Sequence, residues 1–470
     1  MPLLSTIGAA AARAFGFLRA LVTGGYSVAN SLRFNRGSSD SLTRTPASSG
    51  NRRTYTISTW LKRAKLSTAE QFIGASTTNF DTIGFDSSDR IRFYIYNNPT
   101  STVRVSTQVF RDVGAWYHIV IAVDTTNATD QNRCRIYVNG TEITAWATNN
   151  SITQNLDTSF NQNVIQYIGA HGYAPDPEYF NGYMSEVYMI DGQQLTPSSF
   201  GETDPAIPSS GIWQPKAYTG SFGTNGFYLK FGNSAALGTD SSGNGNNFTV
   251  NNLTSVDQST DTPTNNFATL NPLVGGTSST FTNGNLSGSI PPINGSVVAN
   301  MAVNSGKWYC EFKFIGSIGG YMVLGVSDMS KKGWTGTQES DPQNAYYQSS
   351  PAAFGESGSL FTLGTTSGTS ITGVTGTVYG LMWDADNSIL KITDGTNTYQ
   401  STYTVNNTST PISFMFAISD GAVTGNVDVN FGSPMYAANS YTDANGFGNF
   451  TYAVPSGFYA LCTKNLATYG

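Results

Sequence analysis

Residues that could perform acid–base catalysis are few in this sequence and poorly spaced for it. The chain has two histidines, His118 and His171, and eight glutamates. Hydrolysis of a glycosidic bond needs two carboxyl groups that face the same bond. Glu178 and Glu186 share the segment EYFNGYMSE, but they are eight residues apart and no acid lies between them. A Ser-His-Asp triad is not indicated either, because the sequence has no Gly-x-Ser-x-Gly turn. The sequence therefore predicts that the protein is not an enzyme.

Metal ligands are equally scarce. Cys134, Cys310 and Cys462 lie far apart, so there is no Cys-x-x-Cys pair and no disulfide framework is implied. Loop aspartates that could bind Ca²⁺ through hard oxygen atoms occur in two places, Asp81, Asp86 and Asp89 in FDTIGFDSSD, and Asp124 with Asp130. Neither set has the spacing of a known calcium loop. We predict no metal and no cofactor, and a structural calcium stays an open alternative.

Aromatic side chains in polar loops offer a different chemistry, namely sugar binding without catalysis. Trp146 lies in TAWATNN, while Tyr173, Tyr179 and Phe180 lie in HGYAPDPEYFNG, and both segments are typical of loops because they are rich in Asn, Gly and Pro. Trp334 lies in a similar setting, KKGWTG. These five residues are the predicted ligand contacts. Burial in a core is the alternative for each of them.

The composition indicates which elements position these residues. The 470 residues include 11% charged and 13% aromatic side chains and 50 glycines, against about 25% charged residues in a typical domain. Aromatic and β-branched residues favour pleated strands, and Gly favours the turns between them. This composition excludes intrinsic disorder, which needs high charge and few aromatics. At about 150 residues per domain, the length allows three units or two large β domains.

The charge is unevenly distributed along the chain. The net charge is −6, with a balance of +8 over residues 1–135 and −14 over residues 136–470. The total excludes a generally basic nucleic-acid binder. No apolar run approaches the ~20 residues needed to cross a bilayer, so no membrane partner is predicted either.

Residues 1–25 differ from the rest of the chain and are predicted to form a helical or extended anchor. Apolar side chains recur at alternating spacings of three and four residues, which places them on one helix face: Leu4, Ile7, Ala11, Ala14, Leu18 and Leu21. Arg13 and Arg19 interrupt the apolar stretch of this segment, and no basic residue precedes it, which argues against a signal peptide. The helix would dock on a partner or a symmetry mate, or else pack on its own domain.

Residues 26–210 show short strand patterns separated by turns. The clearest are Thr54–Leu61, Ile91–Tyr96, Trp116–Val123, Arg135–Val138 and Glu186–Ile190, with hairpin turns at Asn139-Gly140 and Asp191-Gly192. His118 lies inside an apolar strand and is predicted to be a core or rim histidine.

The segments TISTWLKR, WYHIVIAVD, CRIYVNGTEI and YFNGYMSEVYMIDGQQLTPSSFGE together resemble the laminin-G-like, concanavalin A-like jelly roll. The resemblance implies two curved antiparallel sheets, with ligands held by loops at the rim or on the concave face. Glycosidases of that superfamily carry a Glu-x-Asp-x-x-Glu strand, and this sequence has none.

Residues 211–260 are predicted to be a connector with one strand, Phe227–Phe231, followed by a run of Gly, Asn, Ser and Asp. Residues 261–470 then form a second predicted sandwich. Its segments GKWYCEF, VLGVSD, VYGLMWDAD and NVDVNFG resemble, in that order, a SPRY domain. The resemblance implies a two-sheet fold that binds ligands through loops rather than catalysing a reaction.

The C-terminal segment VPSGFYALCTKNL, with DSSGNGNNFT in the connector and DTPTNNFATLNP at the start of the second sandwich, resembles a group of bacteriophage virion proteins. This resemblance implies a tail fibre, head fibre or related appendage on the virion surface, assembled in the host cytoplasm. Its partners would be other virion proteins, contacted through the N-terminal segment, and a host surface glycan. A homo-oligomer is expected, with a trimer favoured. The alternatives are an architectural capsid decoration protein and, less favoured, a glycan depolymerase.

Overall fold

The computed structural model describes residues 25–76, 79–97, 99–172, 178–205, 211–274, 279–291, 295–316, 322–328, 353–355, 359–362, 365–370, 374–400, 411–418 and 424–470. The chain divides into two compact units, the first ending at Thr264 and the second beginning at Asn265. Both consist mainly of antiparallel strands, which confirms the predicted all-β class. The six side chains of the predicted anchor lie outside the described residues.

The first unit is built from two large sheets. Its strands are β1 (Ser31–Phe34), β2 (Ser41–Arg44), β3 (Thr54–Arg63), β4 (Glu70–Ser76), β5 (Phe80–Phe85), β6 (Arg90–Asn97), β7 (Thr100–Val109), β8 (Trp116–Asp124), β9 (Cys134–Val138), β10 (Thr141–Glu142), β11 (Trp146–Asn149), β12 (Ile165–Ile168), β13 (Gly182–Asp191), β14 (Gly201–Thr203), β15 (Trp213–Pro215), β16 (Phe227–Leu229), β17 (Thr249–Asn251) and β18 (Gln258–Ser259). We call the sheet β10-β9-β8-β3-β13-β1-β18, with β16 beside β13, the back sheet. The front sheet has the order β11-β7-β6-β5-β4-β12-β2-β17, and β14 pairs separately with β15. The short helix α1 (Asp130–Arg133) precedes β9.

The two sheets form a sandwich because their strands alternate apolar and polar side chains. On β6, the buried residues Ile91, Phe93 and Ile95 alternate with half-buried polar and aromatic ones. Successive side chains of a strand point to opposite faces, so this pattern places one face of the sheet in the core. The same core cluster takes Ile57 and Leu61 from β3 of the back sheet.

Residues 211–260 differ from the predicted connector, because they complete the first unit. β16 pairs with β13, β17 with β2 and β18 with β1. The Gly- and Asn-rich run between β16 and β17 is a loop, as its composition indicated. It is ordered around Asp240, whose carboxylate accepts hydrogen bonds from the N–H groups of Tyr228, Ser242 and Asn246 at 2.9, 2.8 and 2.8 Å.

The second unit also contains two sheets around one core. Its strands are β19 (Thr280–Thr282), β20 (Ser287–Ile290), β21 (Gly295–Val298), β22 (Lys307–Ile315), β23 (Met322–Asp328), β24 (Ala353–Gly355), β25 (Ser359–Thr362), β26 (Thr365–Ser370), β27 (Val378–Asp384), β28 (Ile389–Thr393), β29 (Thr398–Gln400), β30 (Ile412–Ile418), β31 (Gly425–Asn430) and β32 (Tyr459–Ala460). One sheet has the order β19-β20-β31-β22-β27-β28-β29, with β32 beside β22, and the other β21-β30-β23-β24-β25-β26. Trp308 from the first of these sheets and Phe414 from the second share one buried cluster.

The C-terminal segment is part of the second unit rather than a tail. β32 lies parallel to β22, and the helix α2 (Thr463–Tyr469) follows it. The carboxylate of Asp443 accepts hydrogen bonds from the Ala460 N–H at 3.0 Å and from the side-chain amide of Asn465 at 2.7 Å. The same amide donates to the Ala460 carbonyl at 2.8 Å. These bonds fix the path of the segment ALCTKNL over the sheet.

Candidate functional site on the front sheet

The outer face of the front sheet carries a row of aromatic rings on β6. Tyr94 and Tyr96 are two residues apart, so they share the face opposite to the core. Their ring centroids are 6.5 Å apart and their planes differ by 6°, and both rings are half-buried. The alternation that fills the core therefore also sets two parallel tyrosine rings on the outer surface.

Two further rings extend this row. Phe80 on β5 lies directly opposite Tyr96 in the register of the two strands, and its ring centroid is 5.0 Å from that of Tyr96 and 5.6 Å from that of Tyr94. The imidazole of His171 stacks on Phe80 at 5.8 Å with an interplanar angle of 13°. We call these four side chains, Phe80, Tyr94, Tyr96 and His171, the aromatic platform.

A polar network borders the aromatic platform. The carboxylate of Glu178 accepts hydrogen bonds from the Arg92 guanidinium at 2.8 Å and from the Gln71 amide at 2.7 Å, and it lies 3.7 Å from Nε2 of His171. Burial tends to raise the pKa of Glu178, but the interactions with His171 and Arg92 outweigh it, so that the pKa lies below its ordinary value. The guanidinium of Arg92 lies over the Tyr94 ring, 5.8 Å from its centroid.

The backbone around this network is constrained. Glu178 has a φ of +45°, in the left-handed region that non-glycine residues rarely adopt. Its carbonyl accepts a hydrogen bond from the Gln71 N–H at 2.7 Å, which holds the segment against β4. Strained backbone of this kind is often found at functional sites. The strain places the carboxylate where Arg92 and Gln71 both reach it.

Two glycines let side chains lie close to the sheet surface. A Cβ atom at Gly74 would be 2.7 Å from the His171 Cβ, and one at Gly84 would be 2.1 Å from the Glu70 carbonyl and 2.4 Å from Oε1 of Gln71. Any larger residue at Gly74 would displace the imidazole. The flat shape of the face therefore depends on the absence of these side chains.

The five predicted ligand residues lie in different environments, or outside the described residues. Tyr179 is half-buried and its backbone forms a β-bridge with Gln71, a residue of the polar network. Trp146 is half-buried on β11, at the edge of the same sheet, with the Arg104 guanidinium 6.0 Å from its ring. Phe180 is completely buried against Phe34 and Phe72 and offers no surface to a ligand. Tyr173 and Trp334 lie outside the described residues.

Sequence analysis missed the four residues that form the centre of this face, Phe80, Arg92, Tyr94 and Tyr96. For the last three of these residues the signal was present in RIRFYIY, where basic residues and Tyr occupy every second position of a strand and Ile or Phe occupies the others. The Asn-, Gly- and Pro-rich composition that indicated ligand loops does not identify these residues, because they lie on strands.

His118 is a buried core histidine. Its side chain stacks on Trp60 with a centroid distance of 4.8 Å, and burial lowers its pKa to about 3. The indole N–H of Trp213 donates to Nδ1 at 2.9 Å. The neutral ring therefore carries its proton on Nε2, which donates to the Ser58 hydroxyl at 2.9 Å. A general base would have to accept the serine proton, so this pair is arranged in the opposite sense.

The described ranges contain neither a cluster of metal ligands nor a membrane-spanning helix. Among these residues, no group of three or more His, Cys, Asp or Glu side chains could hold a metal ion. No helix in the described part of the chain is long and apolar enough to cross a membrane. The three cysteines are buried and unpaired by disulfides.

Part of the first unit matches a known protein family. Residues 36–199 match the family model Laminin_G_3, described as the concanavalin A-like lectin/glucanases superfamily. The matched residues contain the aromatic platform and its polar network. This domain is therefore similar to concanavalin A-like lectins and glucanases, as its sequence motifs indicated. No curated protein sequence matches the chain.

Three solved structures are each similar to about a third of this chain. The SPRY domain of human HERC1 has 12% identity and a TM-score of 0.28, covering 34% of this chain and 96% of its own. The TRIM65 PSpry domain has 14% identity and a TM-score of 0.25, covering 35% and 91%. A heptameric SAP-like pentraxin from Limulus polyphemus has 12% identity and a TM-score of 0.26, covering 37% and 80%.

Proposed function

We propose that this chain is a non-catalytic glycan-binding protein and that the aromatic platform is its sugar-binding site. The observation that carries the proposal is the set of neighbouring rings, Phe80, Tyr94, Tyr96 and His171, beside the hydrogen-bonding network of Arg92, Glu178 and Gln71. The similarity of residues 36–199 to concanavalin A-like lectins and glucanases supports it.

The chemistry of the face suits a sugar. The C–H faces of a pyranose ring pack on aromatic rings, while its hydroxyl groups need donors and acceptors that are fixed in place. Arg92 and Gln71 are donors, and Glu178 is an acceptor held between them. The low overall charge of the chain also fits recognition by hydrogen bonds and ring stacking rather than by ion pairing.

We propose binding without hydrolysis because of the pKa and the hydrogen-bond partners of Glu178. A glycosidase needs a general acid whose pKa is raised and a second carboxylate across the scissile bond. Glu178 has a lowered pKa and is engaged by Arg92 and Gln71. Incubation with the polysaccharide that the protein binds should therefore leave its chain length unchanged by size-exclusion chromatography.

Replacing both platform tyrosines, Tyr94→Ala with Tyr96→Ala, should weaken glycan binding by at least about 10-fold. Each ring contributes roughly 0.5–1.5 kcal/mol beyond its buried area. Affinity for host surface polysaccharide fragments, measured by calorimetric titration, tests this expectation. The matched control is Tyr441→Ala, since Tyr441 is 46% exposed and belongs to the second unit. Unchanged affinity in the double variant, or an equal loss in the control, would show that the platform is not the site.

We further propose that the protein is a surface appendage of a bacteriophage virion, with other virion proteins as partners. Support comes from the resemblance of VPSGFYALCTKNL, DSSGNGNNFT and DTPTNNFATLNP to phage virion proteins. A homo-oligomer, with a trimer favoured, is part of this proposal. An architectural decoration protein is the alternative, in which the aromatic platform would contact neighbouring subunits and bind no glycan.

A chain that begins at Tyr26 should fold but fail to enter particles. The reason is that residues 1–25 carry the apolar helix face and no strand pattern. Western blotting of purified virions, beside a circular dichroism spectrum of the truncated protein, measures both outcomes. A second variant with Leu18→Glu and Leu21→Glu keeps the segment but breaks its apolar face, and it should fail in the same way. Normal incorporation of either variant contradicts the anchor hypothesis.

A further inference from the structure

A cavity on the back-sheet side of the first unit is separate from the aromatic platform. Its volume is about 440 Å³, and it is lined by residues 26–30, by Glu186 on β13 and by residues between Tyr228 and Ser241. The platform lies on the front sheet, so the cavity is not used by the proposed glycan site. Its chemistry is set by the residues at its base.

Glu186 is the central residue of this cavity. Its side chain lines the cavity although the residue is only 3% exposed. It lies at a bulge, between Ser185 and Tyr188, where the register of β13 against β3 shifts, and its φ is +51°. Bulges re-aim side chains, and left-handed backbone at a non-glycine residue costs free energy. The fold thus accepts local strain to hold this carboxylate in place.

Three tyrosine hydroxyls surround the carboxylate. Those of Tyr26 and Tyr188 donate to one oxygen at 2.7 and 2.6 Å, and that of Tyr228 donates to the other at 2.6 Å. Burial and the charge of Glu186 raise the pKa of Tyr26 to about 12, and they also raise the pKa of Tyr228. The hydroxyls therefore stay protonated and serve as donors.

The carboxylate has no basic partner among the described residues, because its contacts there are these three hydroxyls. An unpaired buried charge is costly, and buried carboxylates are ordinarily paired with a cation. Among the described residues, oxygen Oε1 accepts a hydrogen bond from Tyr228 alone, so it can accept one more. The rings of Tyr26 and Tyr228 also line the cavity, and tyrosine rings attract cations.

We propose that this cavity binds a primary ammonium group, with Glu186 as its counter-charge and the fourth acceptor position of the carboxylate as its hydrogen-bond partner. An ammonium group can donate a hydrogen bond to the free acceptor position of Oε1. Its positive charge neutralises the buried charge of the Glu186 carboxylate. An anionic ligand is disfavoured by the same carboxylate. Two sources of the group fit the volume, a sugar that carries a free amine and the side chain of a lysine.

The test is a calorimetric or saturation-transfer NMR titration of the full chain at pH 7 with n-butylammonium. We expect saturable binding, and no binding of n-butanol, which has the same alkyl chain without the charge. Glucosamine and Nα-acetyl-lysine then identify the source, since the natural one should bind more tightly than n-butylammonium. N-acetylglucosamine should not bind in this cavity, because acetylation removes the charge.

Substitutions inside and outside the cavity distinguish binding in the cavity from binding elsewhere on the protein. Glu186→Gln should weaken n-butylammonium binding at least 10-fold, whereas Glu202→Gln, outside the cavity, should leave it unchanged. Lys230 is an exposed residue of the cavity rim, so Lys230→Glu should strengthen binding several-fold without affecting the core. The proposal fails if n-butylammonium does not bind, if Glu186→Gln binds it equally well, or if Lys230→Glu does not strengthen binding.

Discussion

Replacing Asp261 by Asn should lower the free energy of unfolding of the first unit by about 3–5 kcal/mol. This is the usual cost of removing one partner of a buried ion pair. Lys62 and Asp261 are both 1% exposed, and Nζ lies 2.8 Å from Oδ2. The other carboxylate oxygen accepts a hydrogen bond from the indole of Trp116 at 3.1 Å. An Asn side chain keeps the shape and one acceptor, but it removes the negative charge that lies 2.8 Å from the buried Lys62 ammonium.

Thermal unfolding gives the measurement for this variant. For a unit of this size the expected loss corresponds to a fall in Tm on the order of 10 °C. The matched control is Asp157→Asn, which breaks the ion pair between Asp157 and Arg53. The side chain of Arg53 is 43% exposed and that of Asp157 is 47% exposed. Exposed pairs of this kind contribute about 1 kcal/mol or less. Equal changes in the two variants would mean that the buried pair has no special role.

A double variant with apolar residues at both positions distinguishes the effect of the charges on stability from the effect of packing. Lys62→Met with Asp261→Leu removes both charges together, and such replacements of buried pairs are often neutral or stabilising. We expect this double variant to be more stable than Asp261→Asn alone. A double variant that is less stable than the single one would indicate that the hydrogen bond to Trp116 dominates.

The same ion pair bears on where the first unit ends. The sequence-based boundary places residue 261 in the second sandwich, whereas the structure places the division after Thr264. A fragment of residues 25–264 keeps Asp261 and should melt cooperatively. A fragment ending at Thr260 lacks the partner of Lys62 and should be much less stable. Similar melting of the two fragments would contradict this account.

Strand positions were predictable because they depend on local alternation. The pattern of WYHIVIAV predicted a strand at Trp116–Val123, and β8 spans Trp116–Asp124. Partners that lie far apart in sequence were not predictable in this way. Asp261 meets Lys62 across 199 residues, and nothing near either residue indicates the other. Such pairs depend on the order in which strands join a sheet, which no local pattern contains.

The candidate site illustrates the same limit. Phe180 looked like a loop aromatic because Pro, Asn and Gly surround it, yet it is buried, since the chain turns inward there to pack against Phe34 and Phe72. Tyr94 and Tyr96 could have been found from their alternation with buried residues. Their grouping with Phe80 could not, because it depends on the register of β5 against β6.

Asp81→Asn should remove a pH dependence from the stability of the first unit. Asp81 is completely buried on β5, and burial raises its pKa to about 7, although hydrogen bonds from the Ser159 and Phe160 N–H groups partly oppose this shift. In the unfolded chain an aspartate has a pKa of about 3.9. Between about pH 4 and pH 7 the folded state therefore holds a proton that the unfolded state has released. The free energy of unfolding must then fall as the pH rises through this window, and it levels off above pH 7.

Asparagine has the same shape as aspartic acid and no charge, so the variant should lose this fall and become more stable than the parent at pH 8 by a few kcal/mol. At pH 4, where the parent carries a neutral Asp81, the two proteins should have similar stability. Urea unfolding at pH 4, 5.5, 7 and 8 provides the four comparisons.

Glu70, whose pKa is raised to about 8 by burial, is present in both proteins, so its contribution cancels in the difference. The control Asp112→Asn makes the same replacement at an exposed residue. A parent and an Asp81→Asn variant that stay parallel from pH 4 to pH 8 would show that Asp81 titrates alike in the folded and unfolded states.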